Sequence, residues 1–433
     1  MTPPSSQETP ARRWKAGTRV AFRCGLVYLG LFSLATQISG SMLPNLSFAY
    51  RGLGSLWPMR EVTSWTARHV FGITSGLGDA SGGEPLLFWV QAFWLLIVSL
   101  VAATTWSVID RARGQYDRLH AWFRLFVRFA LASQMFEYGM TKVIPNQFPA
   151  PSLDTLVTPV GDLTLSALLW TTIGSAPAYQ VFTGCVELLG GTLLLIPRTT
   201  TLGAAISLAA AIQVFVLNMS FDIGVKLVSF HLILLALALL APDAPRLVDV
   251  FVRNRPPRAS TEPPLVRTRR AGRAALAAQI AFGVYLLGMY GYINLTFWSV
   301  GGGGSPRSPL YGIWDVEQLS VDGQIRAPHL NDYDRRWRRV ILDRPDSVVF
   351  QRTDDSFARY RASLGSDGRT LVLTRGTSHN WRAAFNVERP APDRLIVDGR
   401  MDGHSIRGEL RLVEFDTFRL LNSTFRWVRP HDP

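Results

Sequence analysis

Seven stretches of this 433-residue sequence stay apolar over close to a helix-spanning length: Val20–Ser39, Pro85–Ile109, Trp122–Met140, Ala176–Ile196, Thr199–Asn218, Val225–Ala241 and Ala274–Phe297. About 20 mostly apolar residues are needed for a helix to cross a hydrocarbon layer about 30 Å thick. The pattern therefore predicts a membrane α-helical bundle of about seven transmembrane helices. Composition agrees: charged residues make up 18% of the chain, against about a quarter in soluble domains. A single soluble globule and a disordered chain are both excluded. The third stretch carries Arg124 and Arg128 near its start, and the sixth is short. Val20–Ser39 follows a basic segment, has no small-x-small cleavage site, and reads as an uncleaved signal anchor.

Positive charge follows the same segmentation. The chain has 45 Lys+Arg against 32 Asp+Glu, a net +13, and +10 of that lies before Ser305. With the N-terminus inside, the inner segments hold Arg12, Arg13, Lys15, Arg19, Arg111, Arg113, Arg118, Arg198 and eight arginines between 242 and 273. The outer loops hold Arg51, Arg60, Arg68, Lys142 and Lys226. Basic residues concentrate in cytoplasmic loops, so the expected placement is multi-pass in a membrane, with the N-terminus inside and the C-terminus outside. The lipid bilayer is then the first partner, anionic lipid accounts for the basic loops, and no nucleic-acid partner is implied. Cys24 and Cys185 lie in apolar runs without CxxC or Cys/His spacing, which excludes a disulfide framework and a cysteine-ligated metal. In the first outer loop, Tyr50–Ile73 carries Trp57, Trp65, His69 and Phe71 among few charges. Aromatics at that spacing suit a helix lying in the membrane interface, or a lid packed over the bundle.

The expected organisation is a cytoplasmic tail at 1–19, a transmembrane domain at 20–298, a Gly/Pro/Ser linker at 299–310 around Gly301–Gly304, and a β domain at 311–433. In that last region the period changes to two. Strand-like stretches run Tyr311–Leu319, Trp337–Asp343, Ser347–Arg352, Phe357–Leu364, Thr370–Arg375, Trp381–Val387, Arg394–Asp398, Ser405–Val413 and Phe418–Arg429. Turn signals stand at Ser366-Asp367-Gly368, Pro390–Asp393, Asp398-Gly399 and Asp402-Gly403. So many short strands imply an antiparallel barrel or sandwich. Gly312-Ile313-Trp314 resembles the Gly-x-Trp that opens lipocalin-type barrels, whose interior holds one apolar ligand or is filled by side chains. His379 and His404 read as surface turn residues.

Ionisable groups at membrane depth are costly and usually functional. Gln134, Glu137 and Tyr138 share one face of the third helix by i, i+3, i+4 spacing, with Lys142 at its end. The fourth helix carries Glu187, with Gly190-Gly191 one turn on, where small residues admit a close neighbour. Gln213 and Asn218 follow on the fifth, Asp222 in the next loop, and Lys226 and His231 on the sixth. In the orientation above these fall in the outer half of the membrane, with Glu187 near its middle, so they should pair or line a wet cavity. Only three of the 45 basic residues are lysines, and two of them, Lys142 and Lys226, stand here. A lysine is a compact charge that can lose its proton when desolvated; snorkelling to the headgroups is the plainer role. His231 is the one intramembrane histidine, which excludes bis-histidine haem; no P-loop or GxGxxG follows a strand. Glu187, His231 and Asp222 show no metal-ligand spacing, so no metal is expected.

From about Leu119 to Arg246 the chain resembles the DoxX family of small bacterial membrane proteins. The matching residues are Tyr138-Gly139-x-x-Lys142, Gln147-Phe148-Pro149, Glu187 with Gly190-Gly191, Arg198-Thr199-Thr200-x-Leu202-Gly203, Leu217-Asn218, Asp222, Lys226-Leu227 and His231. Resemblance to that family implies a four-helix core and a quinone-linked redox subunit with a partner redox subunit. Here two helices are added before the core, and one helix and a β domain after it. Two expectations follow. In one, the polar residues bind a quinone: His231 or Glu187 exchanges protons, Lys142 and Lys226 stabilise negative charge, and Tyr138 and Asn218 donate hydrogen bonds; Glu137 counts with the catalytic group as a charge partner for a lysine, and Gln134, Gln213 and Asp222 complete the site. In the other, the bundle is a non-enzymatic anchor for a lipocalin-like domain that binds or transfers a lipid. An assembly partner for another membrane enzyme is a third.

Overall fold

The computed structural model describes residues 14–44, 52–74, 86–258, 265–266, 268–329, 332, 336–375, 378–422 and 427–428. Arg12, Arg13, Tyr50, Arg51, Pro85, Arg267, the side chain of His379 and the last residues of the expected Phe418–Arg429 strand lie outside them. The chain divides into two compact units: Met1–Ile144 with Val181–Leu295, and Pro145–Gln180 with Thr296–Pro433.

The helices are α1 (Ala16–Ala35), α2 (Gln37–Met42), α3 (Met59–His69), α4 (Leu86–Ile109), α5 (Asp117–Val143), α6 (Leu153–Leu156), α7 (Leu165–Gly174), α8 (Pro177–Leu195), α9 (Thr200–Ser220), α10 (Lys226–Leu240), α11 (Ala244–Phe251) and α12 (Arg269–Val300), with a short α13 (Arg419–Asn422) near the end. Among the described residues six segments are long and apolar enough to cross a membrane: Ala16–Ala35, Leu86–Ile109, Pro177–Leu195, Pro197–Ser220, Lys226–Phe251 and Arg269–Val300. The short sixth stretch gains its length because α10 continues through a 3-10 turn, Ala241–Asp243, into α11. Trp122–Met140 lies in α5, whose 27 residues make about 40 Å at 1.5 Å per residue; α5 falls short in apolarity, not in length.

The charges of α5 explain themselves in the packing. Arg128 is buried and donates from Nε and a terminal nitrogen to the Leu194 carbonyl at 2.9 and 2.8 Å, and to Leu195 O at 2.9 Å, where α8 ends. Arg124, also buried, donates to Leu239 O at 2.8 Å and pairs with Asp243 at 3.2 Å, where α10 ends. The last carbonyls of a helix have no intrahelical donor, and within a bilayer no water replaces one. Two arginines that look misplaced in a span therefore close the ends of two neighbouring helices.

In the second unit eight antiparallel strands close into a barrel. They are β1 (Gly312–Val321), β3 (Trp337–Leu342), β4 (Ser347–Arg352), β5 (Phe357–Leu364), β6 (Thr370–Arg375), β7 (Ser378–Ala391), β8 (Arg394–Met401) and β9 (His404–Leu412); β9 pairs back onto β1. The two-residue β2 (Gln324–Ile325) folds back on β1 through Asp322-Gly323, both with positive φ (51° and 78°), the primed-turn geometry. Asp402-Gly403 makes the same turn between β8 and β9. Two expectations change. Asp398-Gly399 is not a turn but lies within β8, where a Cβ on Gly399 would come 2.1 Å from Ala384 O of β7. Phe418–Asn422 is not a strand: β9 and β1 pair with each other, and the chain turns through Phe415–Thr417 into α13.

Inward positions alternate along the strands and fill the centre with Trp314, Trp337, Phe350, Leu373, Phe385 and Leu410, all buried. Trp337 packs on Phe350 at 4.3 Å between ring centroids, and Tyr360 stacks on Trp381 at 4.9 Å. Gly312 is dictated by closure, since a Cβ there would meet Leu412 Cδ1 at 2.4 Å. The outer face of β1 and β3 is covered as well. Ile313 and Ile341 pack with Leu153, Leu156 and Val157, from the segment between α5 and α8, and with Val413, Phe415 and Phe418. Polar ties fix that segment: Gln351 Nε2 donates to Val157 O at 3.2 Å, and Asp154 pairs with Arg359. Of the glycines expected as linker, Gly303 and Gly304 wrap the Trp298 side chain so closely that a Cβ would come 2.4 and 2.5 Å from it, and one on Gly302 would come 2.6 Å from Asn146 Oδ1.

Candidate functional site

The polar groups of the helical unit meet because α5 and α8 touch backbone to backbone. A Cβ on Gly139 would lie 2.9 Å from the Leu188 side chain and 3.0 Å from Gly184 O; one on Gly184 would lie 2.7 Å from Gly139 O and 2.8 Å from Lys142 Cβ. Farther along α8, Gly191 accepts the Phe136 ring, and Gly190 faces Ser207 of α9. Small residues admit this approach where apolar burial gives no advantage over lipid. It leaves Lys142 and Glu187 opposite one another, buried, with Nζ 2.5 and 2.6 Å from the two carboxylate oxygens. The ammonium also lies 5.7 Å from the centroid of the Tyr138 ring.

A second set of bonds runs from the same helix face. Gln134 Nε2 donates to Glu137 Oε2 at 2.8 Å. Gln37 Nε2 donates to the Tyr138 hydroxyl at 2.7 Å and lies 3.4 Å from Gln134 Oε1. Gln37 reaches them because Thr36 is extended (φ −110°, ψ −179°), breaking the first span and starting α2 inside the bundle. Among the described residues Glu137 forms no ion pair with a cation. Gln134, Glu137, Tyr138, Lys142 and Glu187 thus form one neighbourhood, joined by Gln37, which the sequence pattern did not single out. A strong amide inside an apolar stretch was its available signal.

The remaining expected residues stand in other settings. His231 is buried, with Nε2 2.8 Å from the Tyr28 hydroxyl and Nδ1 2.7 Å from Leu227 O, and it stacks on Phe32 at 3.4 Å. Asn218 is buried and donates to Ser229 Oγ at 3.1 Å, tying α9 to α10. Lys226 pairs with Asp222 at 2.5 Å, one helical turn away, and the Asp222 side chain is 83% exposed. Gln213 is half-buried on α9. Glu187 is engaged by Lys142 and Glu137 by Gln134, while Lys226 and His231 bond to Asp222 and Tyr28. Among the described residues no group of three or more His, Cys, Asp or Glu side chains could hold a metal ion.

In the barrel unit most ion pairs lie toward solvent, while Gln351 and Arg336 are buried. Asp154 is held below the usual carboxylate range: burial pushes it up, but hydrogen bonds from Ser152 and Arg359 and the Arg359 charge outweigh that. His404 Nδ1 lies 2.6 Å from Asp322 at an exposed turn.

No family model matches the chain, and no solved structure gives a significant match. Over 131 residues, 30% of its length, the chain is 35% identical to the uncharacterized protein YwoB of Bacillus subtilis (strain 168), covering 80% of that protein. Identity of this extent, across four fifths of the relative, places the chain in the same family as YwoB.

Proposed function

We propose that this is a multi-pass protein of a bacterial inner membrane, N-terminus cytoplasmic and barrel periplasmic, whose helical unit holds a polar site for a quinone. The charge asymmetry of the loops supports the orientation. Counting α5 as a seventh crossing is supported by where its charges go: to the ends of α8 and α10 and to Glu187. The resemblance to DoxX proteins supports the ligand class and a partner redox subunit.

The observation that carries the site is the neighbourhood around Glu137. Lys142 and Glu187 hold each other, so their work is to fix α5 against α8 and to frame the site electrostatically. Glu137 has an amide donor and no cation among the described residues, which leaves it as the group that takes up and releases a proton. The Tyr138 hydroxyl accepts from Gln37, and in this reading it is the donor to a ligand oxygen. A quinone bound there would supply two carbonyl oxygens, interconverted with the two hydroxyls of the quinol by two electrons, exchanged with the partner redox subunit, and two protons. In this reading His231, bonded to Tyr28, and Lys226, paired with Asp222, support the site rather than act on the ligand.

Extraction of the detergent-purified protein followed by mass spectrometry tests this. The expected result is co-purifying quinone, reduced in Glu137→Gln and Tyr138→Phe. Wild-type protein that carries none and does not bind an added short-chain quinone defeats the proposal.

A second reading is favoured by a separate observation, the pairing of Lys142 with Glu187. On it the bundle is an anchor and its polar groups are structural. Full cellular function in Glu137→Gln and Tyr138→Phe would select it.

A further inference from the structure

Helix α3 has three faces where an ordinary surface helix has two. Successive residues turn by about 100° around a helix. Met59, Thr63, Thr66 and Ala67 share one arc; the last three are buried, and Trp94 Nε1 of α4 donates to Thr66 Oγ1 at 2.5 Å. Arg60, Glu61, Ser64 and Arg68 form a polar arc on the far side. Between the two, within about 60°, Val62, Trp65 and His69 make an exposed strip, with Trp65 56% exposed and its ring stacked 4.9 Å from His69. Leu53, Leu56 and Trp57 prolong the exposed apolar surface before the helix, with Trp57 82% exposed, and Val70 and Phe71 prolong it after.

That strip continues onto the outside of a span. The Phe71 ring meets Phe93 of α4 edge-on at 5.4 Å. Phe93 and its α4 neighbours Leu86, Phe88, Trp89 and Leu96 are exposed on a helix long and apolar enough to cross a membrane. An apolar strip between a protein-packed face and a charged face, and running into exposed aromatics of a span, is the pattern suited to the layer where a bilayer changes from acyl chain to headgroup. Tryptophan favours that layer because its ring is apolar and its N–H polar.

We propose that α3 is seated in the phospholipid headgroup layer, with Val62, Trp65 and His69 against the glycerol esters and upper acyl chains, and Arg60 and Arg68 toward phosphate and water. The occupant of the strip is lipid, not a protein partner. The inference is independent of the quinone site and of which leaflet is involved.

The test uses the full chain in nanodiscs of phosphatidylcholine with phosphatidylglycerol. In a Cys24→Ser, Cys185→Ser background, single nitroxide labels are placed through Val62→Cys, Trp65→Cys, His69→Cys, Arg60→Cys, Ser64→Cys and Arg68→Cys. Power saturation should give high oxygen and low nickel-chelate collision rates at 62, 65 and 69, and the reverse at 60, 64 and 68. Labels that meet the nickel chelate equally on both arcs overturn the proposal in favour of a free aqueous helix. Labels at 62, 65 and 69 shielded from both reagents overturn it in favour of a protein-covered one. If Trp65→Cys does not fold, positions 62 and 69 carry the same contrast.

Discussion

The two units place their charges in opposite ways. In the helical unit Arg23, Arg124, Arg128, Lys142, Glu187, Asp243 and Asp249 are all buried. In the barrel unit the pairs Arg339–Asp315, Arg394–Glu317 and Arg407–Asp398 sit on outward strand positions, partly or well exposed. The one buried charged group there among the described residues, Arg336, donates to the Val316 and Trp337 carbonyls. Burying an ion pair from water costs several kcal/mol per ion, so a water-facing barrel keeps its charges on its outer face. A helix in hydrocarbon has no such exit, and its charges turn inward to partners. Outward apolar side chains and inward charges in one unit, and the reverse in the other, amount to two solvents read from one chain.

Breaking the buried pair should therefore have the largest effect. Glu187→Ala strands the Lys142 ammonium and should cost about 3–5 kcal/mol of stability, measured by denaturant unfolding in mixed micelles. Lys142→Met with Glu187→Leu should cost less than either single change. A Glu187→Ala protein as stable as wild type would break the contrast.

Next comes the barrel core, where apolar burial is the driving term. Leu373→Ala should cost about 2–5 kcal/mol, read from the unfolding midpoint. Cutting the chain sharpens the unit boundary: residues 306–433 alone leave Ile313 and Ile341 without Leu153, Leu156 and Val157, and should aggregate or bind an apolar dye. Joining 145–180 to 296–433 through a flexible linker should give a soluble, cooperatively unfolding barrel.

The surface pairs come last. Arg394→Ala should change stability by about 1 kcal/mol or less. Asp154 gives a pH signature: its folded value lies below the ordinary one, so its contribution is full above the ordinary aspartate range and is lost as pH falls through the folded value. Hydrogen exchange of residues 152–158 should rise in acid below about pH 4, and Asp154→Asn should flatten that dependence.

Strand positions were largely legible in the sequence, because period-two burial and Asp-Gly turns are local signals. Span positions were legible for the same reason, and α5 stood out by its charges. What lay outside local pattern was what the chain brings together at a distance. The Leu153–Val157 segment belongs to the barrel only through contacts nearly two hundred residues away. Gln37 enters the site only because Thr36 breaks a helix. Lys142 and Lys226 look alike as rare lysines, yet one is fixed by the Gly139–Gly184 crossing and the other by an Asp222 one turn away on the surface.

The double-mutant cycle at Lys142 and Glu187 tests the central claim most directly, since it reads the inward pairing itself. Lys142→Ala, Glu187→Ala and the double variant, unfolded under one condition, should give a coupling energy above about 1 kcal/mol, with Lys142→Glu/Glu187→Lys partly restoring stability. Coupling near zero would mean that these side chains do not meet inside the bundle, and the account would fail.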